Sequence, residues 1–257
     1  MKILFHSSKT MHSTGEATAE FSAPQFSAEA SELGEYLKTL TLQQIQDGMK
    51  VSEKLAKETK QNIDAWRSDP ESALPAASGF VGDMYSGLAV AGWEEQDWDF
   101  AQEHLCILSG LYGLLRPADG ILPYRLEMGY KLAPGSADNL YQFWSDKLYQ
   151  CVGGHDLVNV SSVEYAKTIT KFLQDETIVT PKFMTYNPET SRPRQVVIHS
   201  KIARGAMANW LIKNKVANIE HIKDFDDLGY LHNEELSETS KPVFICQKFQ
   251  GFGMSIR

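Results

Sequence analysis

Cysteine is scarce in this chain. Three thiols, Cys106, Cys151 and Cys246, are scattered through 257 residues without any CxxC spacing. Such an odd, dispersed set offers no disulfide framework and reads as reduced thiols in a cytoplasmic protein. Long apolar runs are missing as well. Stretches such as Leu105–Leu108 and Val196–Ile198 fall far short of the ~20 residues that a membrane span needs. The opening MKILFHSSKT has an apolar run shorter than the roughly 7–15 residues of a secretory h-region, and it reads as a first strand followed by a functional turn.

Familiar catalytic signatures are absent too. No GxGxxG follows a strand, and there is no GxxxxGK[ST], HExxH, zinc-finger spacing or GxSxG, so dinucleotide, nucleotide-loop, zinc and serine-hydrolase readings lack support. The seven histidines never fall as an i,i+4 pair on a helix. Neither a metal nor a cofactor is expected, and a site built from distant residues such as His6 and His199 is the weaker reading. Positive charge is the minority: 25 Lys and Arg stand against 33 Asp and Glu, for a net charge of −8. It is unevenly spread, however. Pro181–Lys215 holds seven Lys and Arg against Glu189 alone, and phosphate binding follows the local potential more than the total. Solvated basic faces on a strand and a helix would give the same count.

What is present reads as alternating helices and strands. Lys2–Phe5 is a strand, and a long polar loop runs to about Pro24. Helices are expected from Ser27, from Leu42 to Met49 with Thr41 as cap, and from Ser52 to Trp66. A helix is expected from Asp97 or Asp99 to Ser109, ended by Gly110 and Gly113. Asn139–Gln150 reads as another, and Lys201–Lys215 as a third. Leu157–Val160 is a short strand, and Ser161 to Glu164 has the capping-box form with Ser161 as cap. Thr177–Tyr186 and Arg194–His199 read as a hairpin, and Val243–Lys248 as a last strand. With no repeat and no linker, the chain is expected to be a single mixed α+β domain over residues 1–257. That is preferred to a doubly wound parallel sheet.

Four polar clusters sit beside glycines or at strand ends: HSSKT (6–10), GDMY (82–85), LSGLYGLLRPADGILPYRLEMG (108–129) and SKIARG (200–205). The third is too irregular for a helix and too apolar for an exposed loop. It places Arg116, Arg125, Asp119 and Glu127 in fixed positions, and arginine forks match carboxylates and phosphates bidentately. An internal ion-pair network and a ligand site explain that spacing equally well. Lys9, likewise, is a phosphate ligand or a surface lysine.

These clusters resemble the YaaA family of bacterial peroxide-stress proteins. The family's Ser-Pro-Ala-Lys-Thr turn stands here as His6-Ser7-Ser8-Lys9-Thr10, and Gly82–Leu88 follows its Gly-Asp-Val-Tyr-x-Gly-Leu piece. Leu108–Gly129 reproduces its longest block almost letter for letter. Leu140–Trp144, Asn159…Ser162…Glu164-Tyr165, Ala203-Arg204-Gly205…Met207 and Phe225…Gly229-Tyr230 complete a series in order along the chain. Two departures stand out: the first turn has lost its proline, and Ile202 follows Lys201 where relatives can carry a second lysine.

The resemblance implies a cytoplasmic protein of the hydrogen peroxide response, linked to limiting iron-driven oxidative damage and to DNA recombination and repair. It implies a single-domain α+β fold with a basic cleft and a helix-hairpin-helix element that binds double-stranded or branched DNA. No membrane and no obligate protein partner are expected. For the hairpin, the turn Gly110-Leu-Tyr-Gly113 is preferred to the segment Ile202–Trp210, which is taken as cleft wall. As a DNA binder, the chain would use Lys9, Thr10, Gly110, Gly113, Arg116, Arg125, Lys201 and Arg204 on phosphates, and Tyr85 and Tyr112 for stacking. Carboxylates repel phosphate, so Asp83 and Glu127 favour an alternative, an enzyme acting on a nucleobase or nucleotide in the same cleft.

Overall fold

The first strand lies at the centre of the principal sheet. In this computed structural model, which describes residues 1–12, 21–68, 73–187, 189–190 and 192–251, β1 (Lys2–His6) pairs in parallel with β5 (Leu105–Ser109) and β8 (Leu157–Asn159). Beyond β8 lies β9 (Ile178–Val179), also parallel, while β6 (Gly113–Leu115) folds back antiparallel on β5. The order is β6-β5-β1-β8-β9. Ile3, Leu4 and Phe5 are fully buried, as is nearly all of β5. Continuous apolar runs of this kind belong to strands covered on both faces, where alternation is not needed.

A second sheet, in the order β11-β10-β13-β12, is formed by β10 (Lys182–Asn187), β11 (Arg192–Arg194), β12 (Tyr230–Glu238) and β13 (Lys241–Cys246). Phe183, Phe225, Tyr230 and Phe244 pack ring against ring beneath it. Two short ribbons join loops to the body: β2 (Thr10–Met11) with β4 (Phe80–Val81), and β3 (Leu74–Pro75) with β7 (Gly120–Ile121). One apolar core, running from Ile3 to Phe249, links both sheets. The molecule is thus a mixed α/β fold, with more parallel pairing than the expected α+β arrangement.

The helices are α1 (Ser27–Thr39), α2 (Leu42–Met49), α3 (Glu53–Ala65), α4 (Ala76–Gly79), α5 (Asp83–Leu88), α6 (Glu95–His104), α7 (Leu140–Trp144), α8 (Lys147–Gln150), α9 (Val163–Thr170) and α10 (Val197–Lys213). Thr41 caps α2 with a full capping box to Gln44, and Ser52 caps α3. α5 and α10 cross at paired glycines. A β-carbon on Gly87 would collide with the carbonyl oxygen of Ile202, and one on Gly205 with that of Met84. The two backbones touch there, and the crossing brings Asp83 close to Lys201. The buried Asp97 carboxylate anchors the far end of α10. It accepts from Lys213 at 2.6 Å and from Lys215, and these lysines hold it well below the usual carboxylate range.

Several expectations are corrected. The helix ahead of Gly110 stops at His104, and Leu105–Ser109 is a strand; five buried residues in a row suit a central strand, which short apolar runs alone do not distinguish from helix. Gly110–Gly113 is therefore the turn of a β5–β6 hairpin, and Ile202–Trp210 lies inside α10, so neither segment forms a helix-hairpin-helix. Val197–His199 opens α10 instead of extending a strand. The N-cap of α9 is Ser162, not Ser161, whose hydroxyl donates to Asn159 instead. Asn139–Gln150 breaks at Ser145, whose φ is +46°.

Candidate functional site

In open sheets with parallel strands, ligand crevices form outside the carboxyl ends of the strands, where connections leave in opposite directions. β1 and β8 end side by side, and a pocket of about 460 Å³ lies beyond them. Its walls come from the turn after β1 (His6–Thr10), the start of α5 (Val81–Tyr85), Glu127, the start of α9 (Ser162, Glu164, Tyr165), and Lys201 with Arg204 on α10.

Each wall has a local cause. The turn after β1 is tied down where the Ser7 N–H donates to Leu108 O at 2.8 Å and the Ser8 hydroxyl donates to the carbonyl of Val81. Thr10 then pairs with Val81 in the β2–β4 ribbon. Gly82 has φ +145°, and a β-carbon there would lie 3.1 Å from the Ser8 hydroxyl oxygen. Only glycine tolerates that backbone at so close an approach. Lys201 and Arg204, three residues apart, share one face of α10.

Most of the charge is already paired. Lys9 Nζ lies 2.9 Å from Glu127 Oε2. The other oxygen of that carboxylate accepts from Tyr130 at 2.7 Å and meets Arg125 at 3.5 Å. Burial, then the hydrogen bond to Glu127, pushes the Tyr130 phenol up to about 12. Lys201 Nζ lies 3.7 Å from Asp83 Oδ2, and Glu164 Oε1 accepts the Gly129 N–H at 2.7 Å. Arg204 differs. Half-buried, it has no ion pair or hydrogen bond among the described residues, and burial lowers its pKa.

His6 is held neutral beside it. The Ser162 N–H donates to His6 Nδ1 at 3.2 Å, which puts the ring proton on Nε2. The ring stacks on Tyr165, with centroids 5.0 Å apart. Burial first, then the charges of Arg204 and Lys201, drives its pKa down to about 3. Beneath the pocket, Tyr85 donates to His6 O at 3.0 Å and Ser7 donates to the Tyr165 hydroxyl at 3.2 Å. Burial raises both phenols, so they stay protonated.

Of the residues singled out from the sequence, Lys9, Thr10, Asp83, Tyr85, Glu127, Lys201 and Arg204 converge on this pocket. Arg125 stands behind Glu127, its side chain 17% exposed. The others lie elsewhere. Arg116 grips the fully buried Asp119 through Nε at 3.1 Å and Nη2 at 2.9 Å. Tyr112 is buried and accepts from Trp66 and the Leu122 N–H. Gly110 lies against the carbonyl of Leu126, and Gly113 has φ +70° beneath the Trp144 ring. His6, Ser7, Ser8, Ser162, Glu164 and Tyr165 also line the pocket, and the sequence does not single them out as site residues. The signal available for them is position: His6 ends β1, and the others lie within a few residues after β1 or β8. Three of the seven basic residues of Pro181–Lys215 are engaged by carboxylates, Lys201 on Asp83 and both Lys213 and Lys215 on Asp97.

Among the described residues, no group of three or more His, Cys, Asp or Glu gathers as a metal site, and no helix is long and apolar enough to cross a membrane. Residues 1–236 match the family model described as peroxide stress protein YaaA. A UPF0246 protein of Salinispora tropica is 44% identical over all of this chain and 98% of its own length. UPF0246 proteins of Roseobacter denitrificans and Clostridium botulinum are 39% and 38% identical, covering 86% and 90% of the chain and 89% and 93% of their own lengths. The chain belongs to the YaaA family of peroxide stress proteins.

Proposed function

We propose that this protein serves peroxide resistance by binding DNA in the cytoplasm, seating the phosphate of one nucleotide at an unpaired or branched position in the pocket at the ends of β1 and β8. Arg204 carries the reading. A half-buried guanidinium without a counter-charge is costly, and a phosphate oxygen pair satisfies its planar fork. The neutral His6 beside it adds an N–H donor without adding charge. A pocket of about 460 Å³ is too small for a duplex, so duplex binding depends on branches or open ends. Lys9 and Lys201, paired internally, contribute only when phosphate draws them from Glu127 and Asp83.

Fluorescence anisotropy against duplex, single-stranded and four-way-junction DNA over a salt series tests this, with Arg204→Gln alongside. Expected is junction and single-strand binding whose log K falls by about 0.9 per phosphate engaged for each tenfold rise in salt, and which Arg204→Gln weakens at least tenfold. Absence of binding at low salt overturns the DNA reading.

A second reading, catalysis on a nucleobase or nucleotide, is favoured by Asp83, Glu127 and Glu164 lining the same pocket. A pure binder gains nothing from three carboxylates near phosphate, whereas proton transfer requires such groups. Asp83→Asn separates the two: binding is kept or tightened under both readings, and single-turnover product formation disappears only if Asp83 is a catalytic base.

A further inference from the structure

A second cavity, of about 630 Å³, opens on the other side of Val81–Gly82. Val81, Gly82 and Tyr85 line both it and the charged pocket. The two are chemically opposite. Among the described residues no Asp, Glu, Lys or Arg lines the second cavity; its walls include Phe80, Val90, Ala91 and Trp98. Small-molecule sites are typically of this size and this apolar character, with a few placed polar groups. At the boundary lies Gly82, which has no side chain and no room for one beside Ser8, so at that point the two cavities are separated by bare backbone.

We propose that the two cavities are one site for a nucleotide, with the phosphate on Arg204, the sugar across Gly82 and the aromatic base in the apolar chamber against Trp98. This rests on the reading that Arg204 receives a phosphate. Polar groups in the chamber favour a base over an alkyl chain. His12, Ser78 and Ser86 line it, and the two serine hydroxyls donate to the carbonyls of Pro75 and Gly82, each at 3.2 Å. Their oxygens remain able to accept from a ring-edge N–H, and an alkyl chain would leave them dry and unpaired. Trp98, half-buried and edge-on to Trp93 at 5.2 Å, offers a stacking surface that ring systems exploit better than aliphatic chains.

The test is a calorimetric comparison of deoxyadenosine 5′-phosphate, deoxyribose 5-phosphate, octyl phosphate and a short single-stranded oligodeoxynucleotide. The proteins are wild type, Arg204→Gln and Ala91→Phe. Ala91 is exposed, so phenylalanine there fills the chamber without burdening the core, and retained deoxyribose 5-phosphate binding certifies the fold. The nucleotide is expected to bind at least tenfold more tightly than deoxyribose 5-phosphate. Ala91→Phe should erase that advantage and leave deoxyribose 5-phosphate unchanged, while Arg204→Gln loses both. If only the oligonucleotide shows Ala91-sensitive binding, the base is delivered by a strand and the chamber assignment stands. Persistence of the nucleotide's advantage in Ala91→Phe overturns the proposal, as does octyl phosphate binding as tightly as the nucleotide. If Arg204→Gln binds deoxyribose 5-phosphate like wild type, the phosphate seat fails instead, and a surviving Ala91 effect would locate the base alone.

Discussion

Arg116 and Arg204 stand in the two most motif-dense parts of this chain, and they have opposite occupations. Arg116, in the 108–129 block, has a side chain 41% exposed, yet its fork is closed on an Asp119 carboxylate that is 0% exposed. Arg204, on α10, is likewise half-buried and has no such partner among the described residues. Exposure alone does not tell the two arginines apart. The difference is whether the counter-charge is built in. Apart from Glu127, which reaches the pocket wall, the 108–129 block packs its glycines tightly against neighbouring groups and pairs its arginines with carboxylates, so the Arg116 turn is framework. Among the described residues the pocket rim leaves one guanidinium unmatched, and the proposed site rests on it.

The largest effect expected from breaking this arrangement is at the helix crossing. Gly205→Val forces a side chain into the backbone of α5 at Met84 and should cost about 3 kcal/mol or more in urea unfolding, at the upper end of overpacking penalties. Wild-type stability would mean that α5 and α10 are not in backbone contact. Next comes the framework arginine. Asp119→Ala removes the acceptor of the Arg116 N–H, its guanidinium and the Ser22 hydroxyl. A loss of about 2–4 kcal/mol is expected, since a buried acceptor serving several donors is withdrawn. Pocket binding should survive in the folded fraction. If binding is lost while stability holds, the Arg116–Asp119 turn is part of the site after all.

How much of this was legible beforehand differs by element. β1 and the turn after it were readable because an apolar run gives way abruptly to HSSKT, and α2 because Thr-x-x-Gln is a cap with a mechanism. β5 was not: LCILS continues an amphipathic helix without a break in polarity, and only its register against β1 decides the matter. The pocket was half legible. Asp83, Lys201 and Arg204 announced themselves as charge beside glycine. Glu164 was misread as a capping residue, since its partner, Gly129, is distant in sequence and meets it only through folding. His6 looked like an isolated histidine because the parallel pairing of β1 with β8, which brings Ser162 to its ring, leaves no trace in local spacing.

His6 supplies a smaller, pH-dependent effect. Its folded pKa, about 3, lies below the ordinary histidine value, so the unfolded chain binds the proton first. Stability from this group is complete above about pH 6.5 and falls as the pH drops toward 3, by at most about 1.4 kcal/mol per unit. Denaturant midpoints of wild type and His6→Gln between pH 7 and 4.5 should converge toward low pH, and parallel curves would show that His6 takes up a proton in the folded state as readily as in the unfolded one.

The smallest effect bears most directly on the contrast between the two arginines. A guanidinium that lacks a partner contributes burial cost and little else, so Arg204→Gln should leave stability unchanged or raise it by up to about 1 kcal/mol while weakening phosphate binding. Arg116→Gln, by comparison, should destabilise, because it strands the Asp119 carboxylate in the core. Thermal unfolding of the pair in low-salt buffer without phosphate reads this difference in sign. Should Arg204→Gln cost as much as Arg116→Gln, Arg204 has a structural partner and the pocket has no vacant charge to offer a ligand. A neutral or stabilising result, joined to lost binding, would mean that the fold tolerates an unmatched charge at this position for the sake of what it binds.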